Sequence, residues 1–463
     1  MNNGVLVVKK EVKKVGKTKK IKKAKKLEKT IKKIKKQKKK EKKVKKKPII
    51  AKKIVAKKKI EVIVKMKEEQ KAREKARKIY LDHAATTPVR REVIDAMMPF
   101  FSEKFGNASS IYSLGVEASE ALEKSRSSIA SLLNCLPKEV IFTSGGTEAD
   151  NLAIKGVALA NKGRGNHIIT TSIEHPAVLN TCKYLEENGF KVTYLPVDKD
   201  GFISLAELRS AITEKTILIS IMHANNEIGT IQDIEGIGRI AEEKGIIFHT
   251  DAVQTFGKIQ VDVKKMRTDL LSISSHKIYG PKGVGALYIK RGIPVDPLFN
   301  GGGHEFGKRS GTENIPGVVG FSTAATLACK EMSKESKRLI KLRDRMIWSI
   351  LEQMKGVKLN GDYKSRLPNN VNFSFVGVEG ESMVLRLNER GIFASTGSAC
   401  SSKELNPSHV LLAIGLSPGQ AHGSIRLTLG RDTTHADIDY TIESIVEVVT
   451  ELREISKKLK SEI

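Results

Sequence analysis

Short apolar runs rich in Val, Ile and Thr alternate with stretches of helical period through the middle of the chain. From about residue 92 to 290 the runs include "EVIFTSG", "HIITTS", "KVTYLPV", "TILISIMH" and "IIFHTDA". Between them, "TEADNLAIKGVALAN", "HPAVLNTCKYLEENG" and "IEGIGRIAEEKG" space their apolar residues by three and four, the period of a half-buried helix. Strand followed by helix, repeatedly, predicts a largely parallel sheet covered on both faces. "LLSISSHKIYGPKGVGALYIK" reads instead as two strands joined by a Gly/Pro-rich turn, an antiparallel addition. A long helical pattern over 324–354 then leads to "NNVNFSF", "SIRLTLG" and "DIDYTIESIVEVVTELREISKKL", which predict a smaller α+β unit. The expected organisation is a tail (1–78), a large domain (92–335), and a small domain formed by 79–91 with 336–463. No internal repeat is apparent.

The charge changes the picture in one place. Residues 1–78 hold 36 Lys and Arg against 7 Asp and Glu, a surplus of 29 within the chain's net +30. The remainder is an ordinary, nearly neutral globular sequence, so its composition argues against a nucleic-acid-binding body. The tail itself, typified by "KTKKIKKAKKLEKTIKKIKKQKKKEKKVKKKP", is low-complexity lysine. Like-charge repulsion predicts disorder in water. Ile21, Ala24, Leu27, Ile31 and Ile34 would line one face of a basic helix on an anionic surface, whether nucleic acid or lipid. Four cysteines at wide spacings, with no CxxC pair, argue against a disulfide scaffold or a zinc site and fit a reducing compartment. No apolar run reaches the length of a membrane span, and the start lacks a secretory cleavage pattern. A cytoplasmic protein is expected, not an integral membrane one.

In open α/β sheets, functional groups gather at the carboxyl ends of the strands. After "EVIFTSG" come Gly146 and Thr147 at a helix start, where free N–H groups suit a phosphate. His175 follows "HIITTS"; alone it reads more readily as a helix cap than as a catalyst. Asn226 follows "TILISIMH", in a pair of asparagines that suits a turn. Asp251 and Gln254 follow "IIFHT", the acid being a cap, a metal ligand or a partner for a cofactor nitrogen. Ser274, His276 and Lys277 end the next strand. Together these residue types match the needs of pyridoxal phosphate: an amine for a Schiff base, a carboxylate for the ring nitrogen, and an anchored phosphate.

"LDHAATTPV", "GNASS", "TSGGTEADNLAIKG", "TSIEHPAV", "ANNEIGTIQ", "DAVQTFGK", "SSHKIYGPKGVGALY", "GGGHEFGKRSGTEN" and "STGSACSSKELNPSHVLLAIG" resemble, in order and spacing, the cysteine desulfurases of the NifS/IscS type. Those are class V members of the fold-type-I pyridoxal phosphate enzymes. The resemblance runs from about Ile79 to the C-terminus and leaves the tail outside. It implies a large domain with a mostly parallel seven-stranded sheet and a smaller α+β domain. It also implies removal of sulfur from L-cysteine, giving L-alanine and a persulfide. Lys277 would be the Schiff-base lysine, and Asp251 would pair with the ring nitrogen. Asn226 and Gln254 would bond the ring oxygen, and His175 would stack on the ring and assist proton transfer. Gly146, Thr147, Ser274 and His276 would hold the phosphate, with Thr312 reaching it from the neighbouring subunit of a two-fold homodimer. Arg426 would clamp the substrate carboxylate, a task suited to a guanidinium fork.

Cys400, in "STGSACSSKEL", would accept the sulfur and pass it to an iron–sulfur scaffold protein or a tRNA-thiolation enzyme. No resident metal is expected, Cys400 being the one residue able to touch an iron–sulfur cluster in passing. Cys135, Cys182 and Cys329 lie in helical patterns and read as structural. The sequence departs from the family pattern at Tyr112, Ser275 and Phe306, where His, Gly and Arg are frequent. Two rival readings are another class V lyase, such as a selenocysteine lyase, and a scaffold whose working part is the tail. The thiol in "GSACSS" favours sulfur transfer over the first, and the Lys277–Asp251–His175 set disfavours the second.

Overall fold

The structure, a computed structural model, describes residues 78–396 and 407–461. The lysine-rich tail and Cys400 lie outside the described residues.

Strands are numbered in chain order. They are β1 (Ile79–Tyr80), β2 (Val140–Thr143), β3 (His167–Thr171), β4 (Lys191–Leu195), β5 (Thr216–Ser220) and β6 (Ile247–Asp251), then β7 (Leu270–Ser274), β8 (Gly285–Ile289), β9 (Val357–Leu359), β10 (Asn370–Phe375), β11 (Ile392–Phe393) and β12 (Ser424–Thr428). The main sheet has seven strands in the order β2-β8-β7-β6-β5-β3-β4. Pairing is parallel from β7 to β4, and β8 runs antiparallel between β7 and β2. A sheet covered on both faces needs apolar side chains at consecutive positions. Every residue of β2, β3, β5, β6, β7 and β8 is accordingly buried, and only the edge strand β4 exposes residues.

Because side chains alternate across a strand, neighbours feed opposite cores. Phe142, Ile169, Ile219, Phe248, Leu271 and Ala286 join the Ser113–Leu133, Ile234–Lys244 and Ile315–Gln353 helices on one face. Ile141, Ile168, Leu218, Ile247, Leu270 and Leu287 join the Gly146–Ala160 and Pro176–Glu187 helices on the other. A third core collects Ile79, Leu81, Phe373, Ile425, Leu427 and Ile445 around the antiparallel sheet β12-β10-β9 and the parallel pair β1-β11.

The Ile315–Gln353 helix joins two of these cores. Its first third, including Val318 and Phe321, packs on the main sheet. Its last third, including Leu342, Met346 and Ile350, packs in the smaller unit. It begins nine residues before the pattern that starts at Ala324, because the Asn314 side chain caps it by accepting from the Gly317 N–H at 3.0 Å. Pro316 then sits in the first turn, where its missing donor costs nothing. Gly317 and Gly320 had interrupted the apolar period.

A buried ion pair locks the Ser113–Leu133 helix against the sheet edge. Arg126 donates to both carboxylate oxygens of Glu305 at 2.7 and 2.8 Å, and to the carbonyl of Val140 at 2.7 Å. Glu305 also accepts the Phe142 N–H at 2.8 Å, and both charged side chains are 2% exposed. The rings of Phe142 and Phe306 stand 5.0 and 4.9 Å from the guanidinium. Phe306, where the family often has Arg, thus covers a cation rather than adding a second. Removing one partner of such a pair strands the other charge. Glu305→Ala should therefore lower the unfolding free energy by about 3–5 kcal/mol, read by denaturant titration. A loss below about 1 kcal/mol, the range of an ordinary surface pair, would refute the assignment.

Candidate active site

Because β3, β5, β6 and β7 are parallel, their carboxyl ends open on one edge, and the helix after β2 starts beside them. Gly146 opens that helix, where an added Cβ would stand 2.8 Å from Val253 Cγ2. The glycine lets the first helical turn approach the turn after β6. The helix start faces a cavity of 260 Å³. Its walls include Gly146, Thr147, His175, Asn226, Asp251, Gln254, Ser274, His276, Lys277 and Arg426, residues scattered over more than half the chain.

Lys277 lies just past β7, in a single 3₁₀ turn. Its ammonium donates to the carbonyls of Ala84 and Ala85 at 2.5 and 2.8 Å. The Ala84 carbonyl also accepts from Gln254 Nε2 at 3.0 Å. His175 caps the Pro176–Glu187 helix, its Nδ1 accepting the Ala177 N–H at 3.1 Å. The cap and the candidate catalyst are one residue. That bond leaves Nε2 as the ring nitrogen that carries the proton of the neutral form. Burial, with Lys277 and His409 nearby, pushes its pKa down to about 4. Burial likewise brings His276 to about 4, and its Nδ1 lies 3.2 Å from Thr86 Oγ1.

The acids shift the other way. Asp251 ends β6 and accepts the Val253 N–H at 2.8 Å; burial raises it to about 6 against the pull of Lys277. Asp150 is raised well above the carboxylate range by burial and by Asp251. Burial raises Glu174 to about 8 and Glu227 to about 7. A cationic ring nitrogen against Asp251 would offset the cost of a carboxylate there.

Arg426, on β12, donates through Nη2 to Asp82 at 2.9 Å and through Nη1 to the Asn226 carbonyl at 3.2 Å. Among the described residues its buried Nε has no hydrogen-bond partner, and neither has the buried Ser274 hydroxyl. Pyridoxal phosphate fits this donor set. The Ser274 hydroxyl and the Gly146–Ala160 helix start suit its phosphate, Asp251 its ring nitrogen, and the Lys277 amine its carbonyl.

One expected residue stands elsewhere, and Cys400 lies outside the described residues. Thr312 is exposed and absent from the cavity wall. In sequence, the segment that holds Cys400 is preceded by Ser395, whose hydroxyl donates to Asp82 at 2.8 Å, and followed by Ser408, whose hydroxyl donates to Glu227 at 2.5 Å. Cavity residues that the sequence reading did not single out are Ala84, Ala85, Asp150, Met222 and Val253. Asp150 had a usable signal, since it lies four residues beyond Gly146 on the same helical face. Ala84 and Ala85 had none beyond the resemblance, being small residues far from the sheet in sequence. The other thiols are subdued: burial raises Cys135 and Cys182 to about 12 and Cys329 to about 11.

Comparison with known proteins gives the family. Residues 79–441 match the family described as aminotransferase class-V. The chain is 54% identical to cysteine desulfurase IscS of Clostridium botulinum over 382 residues, 82% of this chain and 96% of the relative. It is 54% identical to cysteine desulfurase IscS of Methanosarcina thermophila over 380 residues, 82% of this chain and 94% of the relative. A solved NifS-like protein superposes with TM-score 0.76 at 41% identity, covering 81% of this chain and all of that one. A structure of SspA in complex with cysteine superposes with TM-score 0.67 at 40% identity, covering 76% and 98%.

Glu174 gives a pH test of the site's electrostatics. Its Oε1 accepts from Thr171 Oγ1 at 2.7 Å and from the Met222 N–H at 2.9 Å, while Oε2 is buried without a partner. A carboxyl raised to about 8 on folding contributes stability that is full below its unfolded value of 4.5 and lost as pH rises through 8. Glu174→Gln keeps the Oε1 contacts and cannot ionise. Thermal unfolding of the cofactor-free protein should fall less steeply with pH in the variant between those limits. Parallel curves for the two proteins would overturn the shift.

Proposed function

The chain belongs to the aminotransferase class-V family, and from that premise we propose that it is a cysteine desulfurase using pyridoxal phosphate. Sulfur leaves L-cysteine, and L-alanine is the other product. One observation carries the reading: an amine, a buried acid, a neutral imidazole and an anion-binding helix start all face one 260 Å³ cavity. When bound, pyridoxal phosphate supplies an electrophilic carbonyl and an electron sink that makes a proton at the substrate Cα removable.

The roles of the residues are read as follows. Gly146 and Thr147 bind phosphate through the helix start, with Ser274 and His276 supplying side-chain donors. Asp251 holds a proton on the ring nitrogen. Asn226 and Gln254 orient the ring by its oxygen. Lys277 is the base at the substrate Cα, its amine kept at the cavity wall by the Ala84 and Ala85 carbonyls. His175 stacks on the ring and, being neutral with its proton on Nε2, is ready to exchange that proton. Arg426 binds the substrate carboxylate, with Asp82 and the Asn226 carbonyl holding its fork. The Cys400 thiolate attacks the substrate sulfur, so that an S–S bond forms as the S–Cβ bond breaks. The Cβ takes a proton to become the methyl group of alanine. The persulfide then passes to an acceptor, an iron–sulfur scaffold or a tRNA-thiolation enzyme.

Thr312 completes the phosphate site from a second copy of the chain, making the working unit a homodimer. The lysine-rich tail docks the enzyme on an anionic surface, in the cytoplasm. Among the described residues no helix is long and apolar enough to cross a membrane.

The test is direct. Purified protein should show the visible band of bound pyridoxal phosphate and convert cysteine to alanine and, with a thiol reductant, sulfide. Lys277→Ala should lower turnover by about 10²–10⁴-fold, the weight of a lost general base. Cys400→Ser should retain the band, still perturbed by cysteine, yet release no sulfide. Full desulfurase activity in Cys400→Ser would remove that thiol from the scheme. Absence of alanine from the wild-type protein would overturn the function itself.

A further inference from the structure

Lys258 is half-buried, and loss of water around its amine with Lys277 nearby brings its pKa down to about 7. Among the described residues no carboxylate pairs with it. Its hydrogen bonds go to two oxygens of one residue: the main-chain carbonyl of Gln254 at 3.0 Å and Gln254 Oε1 at 3.3 Å. A lysine drawn partly out of water and bonded only to neutral oxygens loses hydration without gaining a counter-ion, so its place calls for a reason. The main chain delivers it deliberately. Gly257 has φ of +72°, and a Cβ there would meet Ile278 Cγ2 at 2.9 Å and Ala328 Cβ at 3.0 Å. The Lys258 carbonyl is tied at 2.5 Å by the Ser336 hydroxyl of the Ile315–Gln353 helix.

We propose that Lys258 is a positioning residue that fixes the Gln254 amide with its N–H side toward the cofactor cavity. An amide side chain has two orientations, donor and acceptor ends exchanged, and its surroundings must choose. Here they choose twice. Lys258 offers only N–H groups to one end, and the Ala84 carbonyl accepts from the other at 3.0 Å. The reverse orientation would set donor against donor and acceptor against acceptor. When the lysine is neutral its lone pair can also accept, and the Ala84 carbonyl then makes the choice alone. One amide N–H is used on Ala84, and the second is left for the cavity that Gln254 lines. Gln254 therefore meets the ring oxygen as a donor only.

This rests on the function proposed above, and the test separates the two. Pyridoxal phosphate affinity is measured by equilibrium dialysis of the cofactor-free protein for wild type, Lys258→Met, Gln254→Ala and the double variant. Lys258→Met should weaken binding by about tenfold, the size of one net hydrogen bond, as should Gln254→Ala. The double variant should lie within about twofold of Gln254→Ala alone, because the two act as one unit. Lys258→Arg, which keeps donors at that end, should bind as wild type does. Multiplying losses in the double variant would overturn the proposal, as would an Arg variant as weak as Met. If Lys258→Met fails to fold, wild-type protein labelled with ¹⁵N-glutamine decides. The Gln254 side-chain amide signal should shift on adding pyridoxal phosphate, and a signal that stays put sinks the idea. Wild-type protein that takes up no pyridoxal phosphate overturns the proposed function, and this proposal with it. Uptake with additive losses overturns only this one.

Discussion

The carbonyl of Ala84 is the point on which the site turns. It accepts from Lys277 Nζ and from Gln254 Nε2, although Ala84 precedes both by well over a hundred residues. The segment that carries it is a strap between the main sheet and the antiparallel sheet β12-β10-β9. At one end Leu81 N–H bonds the Phe393 carbonyl, and the His83 N–H reaches the carbonyl of Thr428 on β12. At the other, Thr87 accepts the Tyr279 N–H at 2.7 Å and donates to the His276 carbonyl at 3.0 Å. Those partners flank Lys277. The lysine's position is thus set by its own strand and, independently, by a segment rooted in the smaller unit. Arg426 depends on the same strap through Asp82. The groups proposed to take a proton from the substrate and to bind its carboxylate are therefore held by one short piece of chain. This is how chemistry that requires angstrom-level placement can span two cores.

Much of the fold was legible in the chain, because a sheet covered on both faces writes itself as continuous β-branched runs. The edge strand β4 shows the complement, since its Lys191 and Tyr194 are exposed where no further strand pairs. The antiparallel β8 was readable for a different reason: Pro281 and Gly283 sit where the chain must reverse. The start of the Ile315–Gln353 helix was not, because glycines near its beginning carry no periodic signal. They are there for packing. An added Cβ at Gly320 would meet Met97 Sδ at 2.5 Å.

The site was legible as residue types at strand ends, and less so as relationships. Neither spacing nor composition says that the His175 ring caps a helix through Nδ1, which fixes the nitrogen that holds its proton. Nor could either pick Lys258 out of a chain rich in lysine, since its distinction is its pair of bonds to Gln254, a tertiary fact. Asp150 stood in a quoted motif but was overshadowed by the glycines before it. Thr312 could be read only through the family resemblance.

One physical effect, loss of water around ionisable groups, sorts the chemistry of the whole molecule. It keeps His175 and His276 neutral, so they meet a bound anion or ring as hydrogen-bonding and stacking groups rather than as competing cations. It lifts Asp150, Asp251, Glu174 and Glu227 toward neutrality, so that the sheet edge tolerates four acids in a small volume. Among these, Asp251 is the one set toward the cavity with an N–H donor on its carboxylate, which favours its ionised form once a cationic partner arrives. The same effect acts on sulfur. A thiolate is the reactive form of cysteine, and burial lifts Cys135, Cys182 and Cys329 far from it. The described residues thus hold no thiol suited to taking sulfur from a substrate. The resemblance to cysteine desulfurases is what implies that task for Cys400, which the sequence sets among serines and a glycine.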